Sequence, residues 1–218
     1  MAAGQRQGRS YAVKEIFLTL QGEGAQAGFP AVFCRFTGCN LWSGLEQDRS
    51  DAVCRFCDTD FVGMDGIGGG RFASAAALAT SIEAAWRGGP KNRLVVLTGG
   101  EPLLQVDADL IDALHARGFR VAVETNGTQP APPGLDWLCV SPKAGGKLVL
   151  GGGDELKLVY PQPGAEPELF TSLNFKNFLL QPMDGPAIAA NTAAAIEYCL
   201  TNPCWRLSAQ THKMLGLR

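Results

Sequence analysis

Three cysteines define the chemistry this chain can carry. Cys54 and Cys57 stand as Cys54-Arg55-Phe56-Cys57, and fourteen residues separate Cys54 from Cys39. No fourth cysteine or histidine follows at ligand spacing. A structural zinc site is closed by four protein ligands, and a ferredoxin-type cluster also takes four cysteines. Three thiolates on a four-iron cube leave one iron open, and a small molecule can chelate there. The competing reading is a zinc loop completed from a distance by His212 or Cys34. Thiolate softness alone does not separate the two metals.

The remaining composition narrows the setting. Seven cysteines, an odd number unevenly spaced, argue for metal or cluster chemistry in a reducing compartment rather than a disulfide framework. Cys34 and Cys139 sit in apolar strand patterns, Cys199 in a helical one and Cys204 just beyond it, so these four read as ordinary core or surface residues. A net charge of −2 without a Lys/Arg stripe gives no electrostatic grip on nucleic acid or membrane. Apolar runs are strand-sized, so no transmembrane helix is expected. Residues 1–10 are polar and Gly/Arg-containing, without a signal-peptide core. They read as a loose tail ahead of one domain over 11–218, in a cytoplasmic protein.

Positioning the cysteines requires a scaffold, and the patterning supplies one. β-rich runs cover Tyr11–Leu20, Pro30–Phe36, Leu94–Thr98, Arg120–Glu124, Trp137–Ser141, Glu155–Tyr160 and Asn177–Gln181. Helical periodicity follows a Ser74 cap, follows Asp107 up to Gly118, and follows Asn191-Thr192 up to Pro203. The Gly66–Gly70 and Pro130–Gly134 stretches read as links. Alternating strand and helix predicts an α/β fold with parallel strands and right-handed crossovers. At 218 residues the chain is short for a complete eight-unit barrel, which takes about 250 residues.

Polar or glycine clusters begin where the strand runs end: Thr98-Gly99-Gly100-Glu101-Pro102, Glu124-Thr125-Asn126-Gly127, Ser141-Pro142-Lys143 and Gln181-Pro182-Met183-Asp184. The cysteine loop likewise follows the run ending at Phe36. Parallel α/β folds bind ligands at the carboxyl ends of their strands, so five segments are expected to converge on one mouth. Arg35 shares a strand face with Phe33 and Ala31. A guanidinium among apolar neighbours needs an anion: either a ligand carboxylate, which suits its fork, or a structural partner in Glu23 or Glu101. Gly99 and Gly100 fit close backbone approach to a ligand, or a tight strand-to-helix turn. His115 reads as a helix-surface residue.

A three-cysteine loop after an early strand, a Gly-Gly-Glu-Pro after a later one and a short α/β barrel together resemble the radical S-adenosylmethionine enzymes. The expanded fourteen-residue spacing resembles that of some members of the 7-carboxy-7-deazaguanine synthase family. Phe17-Leu18-Thr19-Leu20-Gln21-Gly22-Glu23-Gly24, Arg35-Phe36-Thr37-Gly38-Cys39-Asn40-Leu41-Trp42, Cys57-Asp58-Thr59-Asp60 and Gln210-Thr211-His212-Lys213 carry the likeness, from about Tyr11 to the C-terminus.

The resemblance implies a partial, open barrel of about six strands and three helices, one [4Fe-4S] cluster, S-adenosylmethionine and Mg²⁺. It implies ring contraction of 6-carboxy-5,6,7,8-tetrahydropterin to 7-carboxy-7-deazaguanine with loss of ammonia, on the route to queuosine. The radical would arise on the cofactor, so no side chain is a catalytic acid or base. Cys39, Cys54 and Cys57 would hold the cluster and Thr59 the magnesium; without the family, Thr59 reads as a turn residue. Phe56, Cys57, Asp58, Gly100, Glu124, Ser141, Pro142, Lys143 and Gln181-Pro182-Met183-Asp184 would surround S-adenosylmethionine. Lys143 is otherwise a solvated lysine. Leu20, Gln21, Gly22, Glu23, Arg35, Thr98, His212 and the terminal Arg218 would meet the pterin. An electron donor of flavodoxin or ferredoxin type and, by analogy, a homodimer complete the expectation. A zinc-stabilised adaptor and a radical activase acting on a protein partner are the rival functions.

Overall fold

The computed structural model describes residues 9–217; the expectations for residues 1–8 and for Arg218 lie outside them. Nine strands form one sheet in the order β3-β1-β2-β4-β5-β6-β7-β8-β9. β1 (Tyr11–Leu20) and β2 (Pro30–Phe36) form an antiparallel hairpin that sets Glu15 opposite Arg35 and Phe17 opposite Phe33. β3 (Gly70–Phe72) adds to β1 antiparallel. From β2 onward every pairing is parallel. The strands are β4 (Arg93–Gly99), β5 (Phe119–Thr125), β6 (Trp137–Val140), β7 (Gly152–Tyr160), β8 (Asn174–Pro182) and β9 (Trp205–Leu207). Because β3 and β9 are edges, the barrel stays open.

Helix α1 (Ala75–Ala85) starts where Ser74 accepts the Ala77 amide at 3.2 Å, and α2 (Ala108–His115) where Asp107 accepts that of Leu110 at 3.0 Å. Each such cap contributes about 1 kcal/mol. α3 (Ile188–Thr201) begins earlier than the Asn191-Thr192 signal indicates. Thr192 turns its hydroxyl back to the Ile188 carbonyl, and the Asn191 amide ties the helix to the Met183 carbonyl at 2.8 Å. Neither caps the helix. β3 and β9 escaped the sequence reading because three residues are too few to show alternation. A short helix, α4 (Thr211–Met214), ends the described chain.

Period-2 alternation sorts the strands into two faces. Val32, Cys34 and Phe36 of β2, Val95 and Leu97 of β4, and Val121 and Val123 of β5 pack outward under α1 and α2. Leu156, Leu158 and Leu180 do the same in a second core that includes Ala195 of α3. Burial of each leucine or isoleucine contributes about 1.5–3 kcal/mol. On the inner face a small apolar cluster of Ala31, Leu94, Val96 and Ala122 is flanked by Phe33 and Trp137. Further along the same face come Arg35, Thr98, Glu124, Cys139 and Lys157, where a barrel floor gives way to a polar mouth. Among the described residues no helix is long and apolar enough to cross a membrane.

Candidate functional site

The mouth is a cavity of about 620 Å³ at the carboxyl ends of the parallel strands. All three loop cysteines line it, as do all the residues expected to touch metal, cofactor or substrate except Pro142 and Arg218; Glu101, Gly38 and Asn40 of the same motifs do not. Pro142 is buried behind the wall, its carbonyl accepting from Gln162 at 3.3 Å. Arg218 lies outside the described residues.

The cysteine loop is held mostly by itself. The Leu41 carbonyl accepts the amides of Val53 and Cys54, and the Leu41 amide points at the Cys39 sulfur at 3.4 Å. Arg49 is its hub: Nη1 donates to the carbonyls of Arg55 and Cys57 at 2.9 and 3.1 Å, Nε pairs with Glu46, and the guanidinium lies 4.1 Å from the Trp42 ring centre. Trp42 packs edge-on to Phe61. A hydrogen bond from Cys54, opposed by burial, brings the Cys57 thiol down to about 6, while the same bond and burial raise Cys54. Cys57 is thereby moved toward the thiolate that a soft metal takes, while burial holds the Cys39 thiol up. Three thiols lining one cavity are the donor set of a cluster with a free iron corner; among the described residues no three of His, Cys, Asp and Glu are arranged to hold a single metal ion. Cys34 cannot complete a zinc site here, since it packs outward in the helix-side core.

Two lysines bracket the segment after Cys57. Lys213 of α4 pairs with Asp58 at 2.6 Å, and Lys14 of β1 pairs with Asp60 at 2.9 Å and Asp65 at 2.8 Å. Thr59 stands between two carboxylates already answered by ammonium groups. Lys213 also reaches Asp184 at 2.6 Å, so α4 is tied to both the cysteine loop and the end of β8.

The glycines receive a protein explanation. Gly99 has φ +139°, and a Cβ there would meet the Phe36 carbonyl oxygen at 2.3 Å; one at Gly100 would meet that of Gly38 at 2.1 Å. Close backbone approach to the root of the cysteine loop already demands them. Glu101, fully buried, accepts from Thr125 Oγ1, the Asn126 amide and the Leu103 amide at 2.7–2.9 Å. Burial lifts its carboxyl above the usual range against those three donors.

Arg35 does line the cavity, but its structural partner is neither Glu23 nor Glu101. Its Nε donates to Glu15 Oε1 at 2.9 Å, across the β1–β2 register. That partner was hidden in sequence because hairpin register decides it. Lys143 is not a freely solvated lysine. Its ammonium bonds the carbonyl and hydroxyl of Ser141 at 2.7 Å and lies 5.9 Å from the Phe56 ring centre. Burial lowers its proton affinity, against the opposing pull of Cys54 and Cys57. His212 packs on Gly22, where a Cβ would fall 2.3 Å from Nδ1, and Thr211 bonds the Gly22 carbonyl. His115 bonds Asp136 at the end of α2, away from the cavity lining.

Sequence reasoning missed Lys157. It sits inside β7, 4% exposed, with Nζ 2.6 Å from Glu23 Oε2 and 3.5 Å from Glu124 Oε1. Burial pulls its ammonium down, but Glu124 and Glu23 outweigh that and leave it well above the ordinary value. The signal was present: in Glu155-Leu156-Lys157-Leu158 charges alternate with core leucines, which points them into the barrel. Cys139, expected as an ordinary core or surface residue, is buried at 2% exposure but at the cavity's edge. It lines the cavity and its thiol donates to Glu155 Oε1 at 3.2 Å.

Comparison with known proteins agrees with this geometry. Residues 49–154 match the model of the Radical SAM superfamily. The chain is 70% identical over 209 residues to the 7-carboxy-7-deazaguanine synthase of Bradyrhizobium diazoefficiens, covering 96% of this chain and 100% of that protein. It is 67% identical over 208 residues to that of Caulobacter vibrioides, covering 95% and 99%. The crystal structure of QueE from Escherichia coli superposes with a TM-score of 0.69 at 29% identity, covering 92% of this chain and 93% of that one.

Proposed function

The chain belongs to the 7-carboxy-7-deazaguanine synthase family of radical S-adenosylmethionine enzymes, and from that premise we propose how its strand-end cavity divides the work. The family implies a [4Fe-4S] cluster and S-adenosylmethionine. When bound, that pair supplies the hydrogen-atom abstraction that starts the rearrangement of 6-carboxy-5,6,7,8-tetrahydropterin. Everything else falls to the chain.

Cys39, Cys54 and Cys57 would hold the cluster. On the same side, Phe56, Asp58, the Gly100 backbone, Ser141, Lys143 and the segment from Gln181 to Asp184 cradle S-adenosylmethionine, with Glu124 accepting from its ribose. Residues 20–23 with Thr98 and His212 take the pterin edge, and the guanidinium nitrogens of Arg35 beyond Nε take its carboxylate. Thr59 offers a single hydroxyl to Mg²⁺, an ion that keeps most of its waters and takes substrate oxygens. The work is one of placing donors and excluding water. A flavodoxin- or ferredoxin-type donor delivers the electron, the protein acts as a homodimer, and the reducing cytoplasm suits a thiolate-held cluster.

The observation that carries this reading is the convergence of three thiols from one loop and four strand-end motifs on one cavity. Anaerobic reconstitution should load about four irons and four sulfides per chain, and the loaded protein should turn over the pterin. The C39A/C54A/C57A variant should do neither. Deuterium placed at C6 of the pterin should appear in recovered S-adenosylmethionine. One tight zinc without iron uptake would instead favour the adaptor reading.

A further inference from the structure

A belt of long side chains crosses the barrel between its apolar floor and the cavity. Gln21 Nε2 donates to Glu124 Oε1 at 2.8 Å, and Gln21 Oε1 accepts the Glu23 amide at 3.1 Å. Glu23 uses both oxygens, Oε1 toward Gln210 at 2.9 Å and Oε2 toward Lys157 at 2.6 Å. Lys157 returns to Glu124 Oε1 at 3.5 Å, which closes the ring. Among the described residues Lys157 is the one cation in a salt bridge with either carboxylate. Glu124 lines the same cavity, and no hydrogen bond reaches its Oε2 among the described residues.

We propose that Lys157 is a positioning residue that couples the two halves of the site: one buried ammonium orients Glu23 toward the pterin and Glu124 toward the cofactor. The inference rests on the division of the cavity given above. Its physical content is that two carboxylates share a single counter-ion. Two acids this close would not both remain ionised in a desolvated site without it. With it, each keeps an acceptor geometry fixed by bonds that involve no ligand. Gln21, between them, locks their relative orientation, so the belt stands preformed before either ligand arrives.

Lys157→Met in the reconstituted holoenzyme tests this, with each ligand titrated alone by anaerobic calorimetry. Loss of the shared cation should weaken both S-adenosylmethionine and the pterin, each by about tenfold or more. Lys157→Arg, which keeps the charge, should recover part of both. A packing role alone would not produce a new pH profile. In Lys157→Met, burial should keep Glu23 protonated into the neutral range, so pterin binding should tighten as pH rises where the wild type is flat. The other ionisable groups facing Glu23 and Glu124 are Glu155, Cys139, Lys143 and His212.

Should Lys157→Met fail to fold, Glu124→Gln at the partly exposed end of the belt serves instead. It removes one anion from the shared cation while leaving an amide oxygen that can still accept from Gln21, and should weaken pterin binding about threefold or more although Glu124 is assigned to the cofactor. Unchanged pterin affinity in Glu124→Gln, or loss of only one ligand and a flat pH profile in Lys157→Met, would overturn the coupling. If wild type binds no pterin at all, the division of the cavity falls and this inference falls with it. If wild type binds pterin and Lys157→Met binds both ligands normally, only the coupling is lost.

Discussion

The cysteine loop and the belt beneath it line the same cavity but are built in opposite ways. The loop is closed by near neighbours: Arg49 reaches residues three to eight positions away, and the amides of Val53 and Cys54 return to Leu41. The belt joins residues 103, 134 and 187 positions apart. The loop therefore depends on its own sequence, and the belt on the whole barrel having formed. Local contacts can open without global unfolding, whereas long-range ones report on it.

Four substitutions probe that contrast, from the largest expected effect to the smallest. Glu101→Ala removes the acceptor of three buried donors, two of which, Thr125 Oγ1 and the Asn126 amide, join the β4 end to the β5 end. It should cost about 3 kcal/mol or more of global stability, read from urea unfolding. A cost confined to the loop would erase the distinction.

Glu23→Gln breaks the tightest bond of the belt and should cost about 2 kcal/mol near neutral pH. Burial works to raise the Glu23 carboxyl, but Lys157 and its hydrogen bonds outweigh it and hold it below the ordinary value of 4.5. Its stabilising contribution is thus full above 4.5 and lost as pH falls below it. The difference in urea midpoint between wild type and Glu23→Gln should shrink on acidification through that window. A difference that grows instead would mean that Glu23 is not held ionised.

Arg49→Ala should act locally. Loss of two carbonyl bonds and the Trp42 contact, about 1–2 kcal/mol together, should speed hydrogen exchange in residues 43–57 and loosen iron retention. The urea midpoint should barely move. A large global loss would show that the loop is not the self-contained unit its bonds describe.

Lys213→Met comes last. Its two pairs are partly exposed and screened, so it should cost under about 1 kcal/mol. It should raise exchange over residues 208–217 at low salt and make little difference at high salt. Insensitivity to salt would mean that α4 is held by its contacts with Gly22 rather than by Lys213.

Much of the scaffold was legible because its signals are local. The β1 and β2 runs match their strands end to end, and Ser74 and Asp107 cap the helices that follow them. The mouth was legible for the same reason: parallel strands end on one side, so polar segments that follow them must meet there. Asn191-Thr192 misled because a capping residue type can serve equally well inside a helix, bonding back to a carbonyl. Arg35 misled because alternation gives a side chain its face but not its partner.

The sequence by itself determined the thiol spacing, the strand runs and the inward charge on β7, since each is written in neighbours a few positions apart. Tertiary structure decided that Arg35 answers Glu15, that Gly99 and Gly100 yield to backbone, and that Lys157 stands between Glu23 and Glu124. Those outcomes depend on hairpin register and on how far the sheet curls, and both are set by packing summed over the whole chain.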